Sequence, residues 1–492
     1  MTGRGEARTI SHDLDVSRMP HAMVAIGGPE GTFAMGAFDR RVSRRAFAGV
    51  PVAVLSWMAA GNLSLTATSA KRGEDRVPGN VRVTDDAFAA HIEPAIAVNP
   101  LDPRNLLAVC RVFVGSDVGV AAYTSFDGGD TWRARGLLPG LVPDFDGNPT
   151  VVFDGHGRAF VCCVVAAQGP PRHGDVLMWR SDDGGRGFRP PTTAIAGGAG
   201  LVDHPSLTIG AGSRPPTTHL YLAAGMYGTA ADGVAVVCSH DGGRTFQAPR
   251  PLDPIAGAKA IAPVAAAGPE GSLTVAYVTP SSSGGVLLKA VTSGDHGETF
   301  TEPFTVAEVP AMAPGLGDVT AKSGPALAAA PGGGLVCTAV TGFDDATGMS
   351  RLLLATLAGP TGPAPMWSEP MTVAASDEAV YLQPQVAIGD DHRIAISVYA
   401  LSLATLRMDV LLHISDPDPV SAASTPPVFG PPLRVTTRAF DPRQAIDTGS
   451  THWLGNYQGL AAAPRHAFHP IWTDTRTGRT QIFTAAVRRH RP

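Results

Sequence analysis

Ser125-Phe126-Asp127-Gly128-Gly129-Asp130-Thr131-Trp132 is the stretch whose reading decides the fold, because the chain writes it three more times. The copies are Ser181-Asp182-Asp183-Gly184-Gly185-Arg186-Gly187-Phe188, Ser239-His240-Asp241-Gly242-Gly243-Arg244-Thr245-Phe246 and Ser293-Gly294-Asp295-His296-Gly297-Glu298-Thr299-Phe300. The shared pattern is Ser-x-Asp-x-Gly-x-Thr-aromatic, broken only by Gly187 at the Thr position. The repeat length is about 56 residues, too long for a helical solenoid and suited to propeller blades. Each copy follows an apolar strand-like run, as at 120–124 and 234–238. Ser and Asp side chains tighten turns by accepting from N–H groups two residues on. Glycine supplies a positive φ without steric cost, and the closing aromatic is large enough to wedge between blades. Every position therefore has a structural task, and Asp127, Asp183, Asp241 and Asp295 are not expected to be catalytic.

This pattern resembles the Asp box, or bacterial neuraminidase repeat, of the sialidase superfamily. The resemblance covers about residues 81–488 and implies an all-β propeller. The blade count comes from the rest of the repeat. Outer strands begin near Trp132, Phe188, Phe246, Phe300, Trp367 and Phe429. Inner strands are marked by a Pro before an apolar run: Glu93-Pro94, Asn148-Pro149, His204-Pro205, Ala262-Pro263, Gly324-Pro325 and Gln383-Pro384, with Tyr457-Gln458 as a seventh. Pro is tolerated at the first residue of a strand, where no ladder donor is needed. The seventh blade lacks an outer strand at its C-terminal end. Val81-Arg82-Val83-Thr84 copies Leu433-Arg434-Val435-Thr436, so the N-terminal strand is expected to complete that blade and remove the open edges. The prediction is a propeller of seven four-stranded blades. Sialidases have six, which makes six blades the alternative.

Alternating strand direction puts the inner-strand starts on the face opposite the boxes. The residue before each Pro then rings a central mouth, where convergent polar groups make a binding site. From this ring and its neighbours, Glu93, Asp203, Tyr457 and Asp474 are the catalytic candidates, and Asn148, His204, Gln383, Trp453, Asn456 and Arg476 the substrate-binding ones. Loops on that face also bring Arg111, Arg172, His173 and Tyr227, and an insertion near 438–453 is placed to fold over the mouth. The resemblance implies three arginines gripping a substrate carboxylate, one in an Arg-Ile-Pro motif. Here His91-Ile92-Glu93-Pro94 stands in its place, with no Arg and an added acid. A carboxylate ligand favours bidentate arginine, so exo-sialidase activity is not expected. It also implies a Tyr nucleophile with a Glu partner, for which Tyr457 and Glu93 qualify. Two classes remain: a glycosidase-like enzyme working with two carboxylates among Glu93, Asp203 and Asp474, and a non-catalytic propeller that binds glycan or protein. A glycan is the expected partner, and no cofactor or metal is expected.

Composition narrows the field. With Lys+Arg 38 against Asp+Glu 43 the formal charge is -5, which offers no attraction to nucleic acid. The five cysteines, Cys110, Cys162, Cys163, Cys238 and Cys337, lie in apolar runs and read as buried thiols; none pairs with histidine at zinc-site spacing. Residues 1–70 read as an export leader. Ser43-Arg44-Arg45-Ala46-Phe47 resembles a twin-arginine signal, 48–61 is a short apolar region, and Ala67-Thr68-Ser69-Ala70 offers a small-residue cleavage site. About 14 apolar residues are too few to span a bilayer comfortably. Residues 71–80 are then a linker, and the product is periplasmic, cell-surface or extracellular, with no stable membrane insertion.

Overall fold

In the computed structural model, residues 77–488 are described, apart from 78, 145, 167–173, 199, 211–217, 229–232, 254–260, 311–318, 320–323, 359–365, 418–425 and 450. The leader, most of the linker, Arg172 and His173 lie outside the described residues. The chain forms a ring of seven four-stranded antiparallel blades. Blade I runs His91–Val98, Leu106–Val114, Asp117–Ser125 and Arg133–Leu137, from the axis outwards. Blades II to VI repeat this order from inner strands at Gly147–Phe153, Leu201–Ile209, Ile261–Ala267, Ala326–Ala329 and Ala379–Ile388. Blade VII takes Gly459–Ala463, Ala467–Asp474 and Gln481–Thr484 from the C-terminal end and Val81–Arg82 from the other. Seven is therefore the count, and six is excluded. Among the described residues no helix is long and apolar enough to cross a membrane.

Closure is specific. Val81 pairs with Thr484 and Arg82 with Phe483, and the Val83 N–H donates to the Ile482 carbonyl at 2.8 Å. Thr84 Oγ1 accepts from the Ile482 N–H at 3.1 Å in a fully buried setting. Asn80 ties the same edge to blade VI, donating to the Val435 carbonyl and accepting from the Thr437 N–H, both at 2.8 Å.

The boxes carry the expected bond to the N–H two residues on, at 3.3–3.4 Å from Asp127, Asp183 and Asp295 to the box serine, and a shorter one of longer reach. Each box serine accepts from the N–H four residues on, that of Gly129, Gly185, Gly243 or Gly297, at 2.8–2.9 Å. Each aspartate receives the serine hydroxyl and the N–H of Thr131, Gly187, Thr245 or Thr299. The second glycine does more than supply φ. At Gly185, with φ of 88°, an added Cβ would lie 2.9 Å from Thr124 Cγ2 and 3.0 Å from Leu107 Cδ1, so the box of blade II is pressed against blade I. The closing aromatics wedge as expected. Trp132 packs on a cluster shared by blades I and VII, Phe188 on one shared by I and II, and Phe300 on one shared by III and IV.

One expectation is corrected. In blades I, II, III, IV and VI the proline does not open the strand. One to four residues pair before it, and the ladder then skips at Ile92/Ala95, Gly147/Thr150, Asp203/Ser206, Ile261/Val264 and Leu382/Gln385. The missing donor is absorbed by a bulge, the other place a sheet accepts proline. Only in blade V does the strand, Ala326–Ala329, start after the proline.

Thr84→Val keeps the shape of the closing strand and orphans the buried Ile482 N–H. Loss of about 1–3 kcal/mol is expected, read as a lower midpoint in chemical denaturation.

Candidate functional site at the central face

The five bulges place Glu93, Asn148, His204, Ala262 and Gln383 at equivalent positions with φ of 50–55°. A side chain in this region costs on the order of 1–2 kcal/mol, and a following proline further disfavours it. The reward is lateral contact around the axis. Glu93 Oε2 accepts from the Asn148 N–H of the next blade at 3.3 Å, and Asn148 Nδ2 donates to Asp203 Oδ1 one blade further on. The same Asp203 oxygen accepts from the His204 N–H at 2.9 Å. On the other side, Gln383 Nε2 donates to the Gly455 carbonyl at 2.7 Å, and Gln458 Nε2 to the Gln383 carbonyl at 2.8 Å. Tyr457 of blade VII reaches past blade I to donate to the Pro149 carbonyl at 2.9 Å. Gly455, at φ of 97°, touches Glu93 so closely that a Cβ would meet Glu93 Cγ at 2.8 Å.

Beneath this ring lies a buried charged group. Arg111, 3% exposed, brings Nη1 to 3.9 Å from the fully buried Glu93 carboxylate. Its guanidinium rests on Gly147, where a Cβ would approach Cζ to 3.0 Å, and stands 5.5 Å from the Trp453 ring. Asp146 is fully buried nearby. Burial pushes its carboxyl up to about 7, with Asp144 adding to the rise while the Ala166 N–H and Arg111 pull against it. The Tyr457 phenol is held well above its ordinary range by burial, then by the Glu93 and Asp203 charges. It is a neutral hydrogen-bond donor here.

The insertion covers the ring. After a turn at Pro442–Gln444, Ile446–Asp447 and His452–Trp453 form a short hairpin. His452 bridges to Val319 between blades IV and V, while Ile446 and Trp453 pack on Ile92, Phe113 and Val118 of blade I. The hairpin thus spans the face.

The structure brings together Glu93, Asn148, Asp203, His204, Gln383, Asn456 and Tyr457. It does not bring Asp474 or Arg476 to them. Asp474 accepts from Trp472 Nε1 at 2.9 Å and from three nitrogens of Arg476 at 2.6–2.9 Å. Arg476 continues to Asn80 Oδ1 at 2.8 Å and Thr437 Oγ1 at 3.0 Å, bracing the seam between blades VI and VII. Trp453 is 8% exposed, and its Nε1 donates to Asn456 Oδ1 at 3.3 Å, so it supports the hairpin rather than presenting a face to a ligand. His91 is turned into the blade, with Nε2 2.9 Å from Asp86 Oδ1. Arg111 and Asp146 are not among the site candidates read from the sequence. Their signal is a lone cation inside the apolar strand Leu106–Val114 and an acid just ahead of the strand Gly147–Phe153.

These features define the class: an all-β propeller of seven blades with a strained, polar and covered central face. No family model matches the sequence, and no curated protein does. Solved structures similar to it include the GH93 α-L-arabinofuranosidase of Fusarium graminearum, 12% identical over 84% of this chain and 98% of that one, with a TM-score of 0.45. A protein of unknown function from Dyadobacter fermentans is 12% identical over 84% and 99%, with a TM-score of 0.44. A Hadza microbial sialidase is 14% identical over 78% and 73%, with a TM-score of 0.41. Likeness at this level concerns the path of the backbone and assigns no activity to this chain.

Asp146 supplies a stability test. Its folded form binds a proton more readily than the unfolded chain, so stability falls as pH rises from about 4 to about 7 and levels off above that. At about 1.4 kcal/mol per unit, the loss is at most roughly 4 kcal/mol. Urea denaturation across this range should show Asp146→Asn with a flatter profile and greater stability than wild type at pH 8.

Proposed function

We propose that the covered central face binds a glycan and that Glu93 and Asp203 are the carboxylate pair of a glycoside-cleaving site. One observation carries this reading: the two acids come from blades I and III and hold opposite ends of Asn148, its backbone N–H and its amide nitrogen. Their separation is set by one residue, and both are buried, at 0% and 8% exposure. Two carboxyls at a fixed gap are what glycoside hydrolysis needs. Asp203, the more accessible of the two and next to His204, is placed to protonate a leaving oxygen. Glu93, deeper and beside Arg111, is placed to assist the attacking group. Asn148, His204 and Gln383 supply polar groups suited to sugar hydroxyls.

A second reading, a non-catalytic glycan-binding propeller, is favoured by Tyr457. Its hydroxyl is committed to the Pro149 carbonyl, and its raised pKa suits a donor better than a nucleophile. A panel of aryl glycosides that includes a sialoside separates the two. Turnover of at least one member is expected, with Glu93→Gln and Asp203→Asn each slowing it by roughly 10²–10⁴-fold. The sialoside should not be cleaved, since no ring position carries an arginine. Glycan binding without turnover of any substrate would establish the second reading instead.

The chain is further proposed to be exported, on the strength of Ser43-Arg44-Arg45-Ala46-Phe47 and the apolar region after it. A reporter fused behind residues 1–75 should leave the cytoplasm, and the double change Arg44→Lys with Arg45→Lys should retain it inside.

A further inference from the structure

On the box face, the seam between blades III and IV gathers three histidines from three separate segments. The His219 and His240 ring centroids lie 4.7 Å apart, and those of His219 and His296 lie 5.2 Å apart, both pairs at 74° between planes. Glu298 joins them, with Oε1 3.7 Å from His240 Nε2. We propose that His219, His240, His296 and Glu298 form a binding site for a divalent transition-metal ion of the zinc class.

The spacing is the first argument. Two imidazoles on one tetrahedral zinc, with N–Zn bonds of about 2.0–2.1 Å, place their centroids roughly 5 Å apart. Three nitrogens and a carboxylate oxygen are also a donor set that zinc accepts. The second argument is local strain that the turn does not require. In the other three boxes the residue after the aspartate is Gly128, Gly184 or Gly242, at φ of 74–81°, whereas the fourth box puts His296 there at φ of 65°. A glycine would satisfy the turn without penalty. Strain retained against a cheaper residue points to a task for the side chain. Gly271 makes room for it, since any Cβ at that position would collide with the His296 ring. Tyr221 Oη lies 3.4 Å from His296 Nδ1, leaving Nε2 as the ligating atom. His240 likewise occupies a box position that plays no part in the turn, between Ser239 and Asp241.

Among the described residues, the group whose ligand atoms already lie mutually within 4.8 Å is a different one, Asp390, Asp391 and His466. That group is held mainly by short, partly buried internal pairs, whereas Glu298 is exposed and meets Gln247 Nε2 and Arg250 Nη2 only at 3.4 Å, contacts an ion would replace. Asp391 receives Arg393 Nε at 2.7 Å and lies 2.8 Å from His466 Nδ1, and Asp390 accepts from the Arg465 N–H at 3.4 Å. The histidine group instead needs its rings to turn about their side-chain bonds before four donors face one ion. His240, His296 and Glu298 reach solvent, so an ion can enter without opening the blade seam.

The test is titration of the full chain, carrying no affinity tag and stripped with chelator, with Zn²⁺ by calorimetry and with Co²⁺ by visible absorption. One equivalent of tight binding is expected, with the intense visible bands of four-coordinate Co²⁺. His296→Gly restores the residue found in the other boxes, so it should fold at least as well as wild type while weakening binding 10-fold or more. His219→Ala should weaken it comparably, and Asp391→Asn should leave it unchanged. Absence of a saturable equivalent in wild type would overturn the proposal. So would binding that survives both His296→Gly and His219→Ala, or binding that is lost in Asp391→Asn.

Discussion

Pairing of Val81–Arg82 with Gln481–Thr484 is the contact on which the other arrangements depend. Without it, blade VII lacks its outermost strand and the ring keeps a template for pairing with other chains. With it, blade VII packs against blade I. Val83 and Ile482 enter one apolar cluster with Leu106, Tyr123 and Ile471. That packing sets Gly455 against Glu93 and carries Tyr457 to Pro149. The candidate site is thus a consequence of closure as much as of the residues that line it.

A second constraint acts at the axis. Seven inner strands converge where side chains have little room, and most must keep their ladder while showing a polar residue to their neighbours. The bulge before proline meets both demands. It concentrates unfavourable backbone geometry at Glu93, Asn148, His204, Ala262 and Gln383. Apolar clusters between successive blades hold these positions in place, as with Val202, Leu207, Leu222 and Met226 between blades II and III. Four of the five strained residues carry polar side chains, the pattern of strain kept at functional positions.

Much of the architecture was legible because it is local. A box closes on itself within eight residues, so its four copies showed the turn and the blade length, whereas all but the first outer strand start about four residues beyond the closing aromatic. The likeness of 81–84 to 433–436 announced the closing strand for the same reason. Proline was legible as a mark but not as a bulge, because a bulge is a relation to a partner strand that one strand does not show. Asp474 looked like a site residue because it ends a strand on the right face. Whether its oxygens were free depended on Trp472 and Arg476, and they are taken.

The sequence by itself determined the all-β class, seven blades, closure by the N-terminal strand and the ring of residues before the prolines, since each rests on short repeats that encode hydrogen bonds within a turn or a strand. Only the tertiary structure decided which side chains of that ring meet. Arg111 sits under Glu93, Asn148 bridges Glu93 to Asp203, and Asp146 is dry enough for its carboxyl to rise to about 7. The three histidines of the box face come from separate segments and likewise meet only in the folded ring. Burial and lateral distance belong to the packed blades, and no spacing along the chain encodes them.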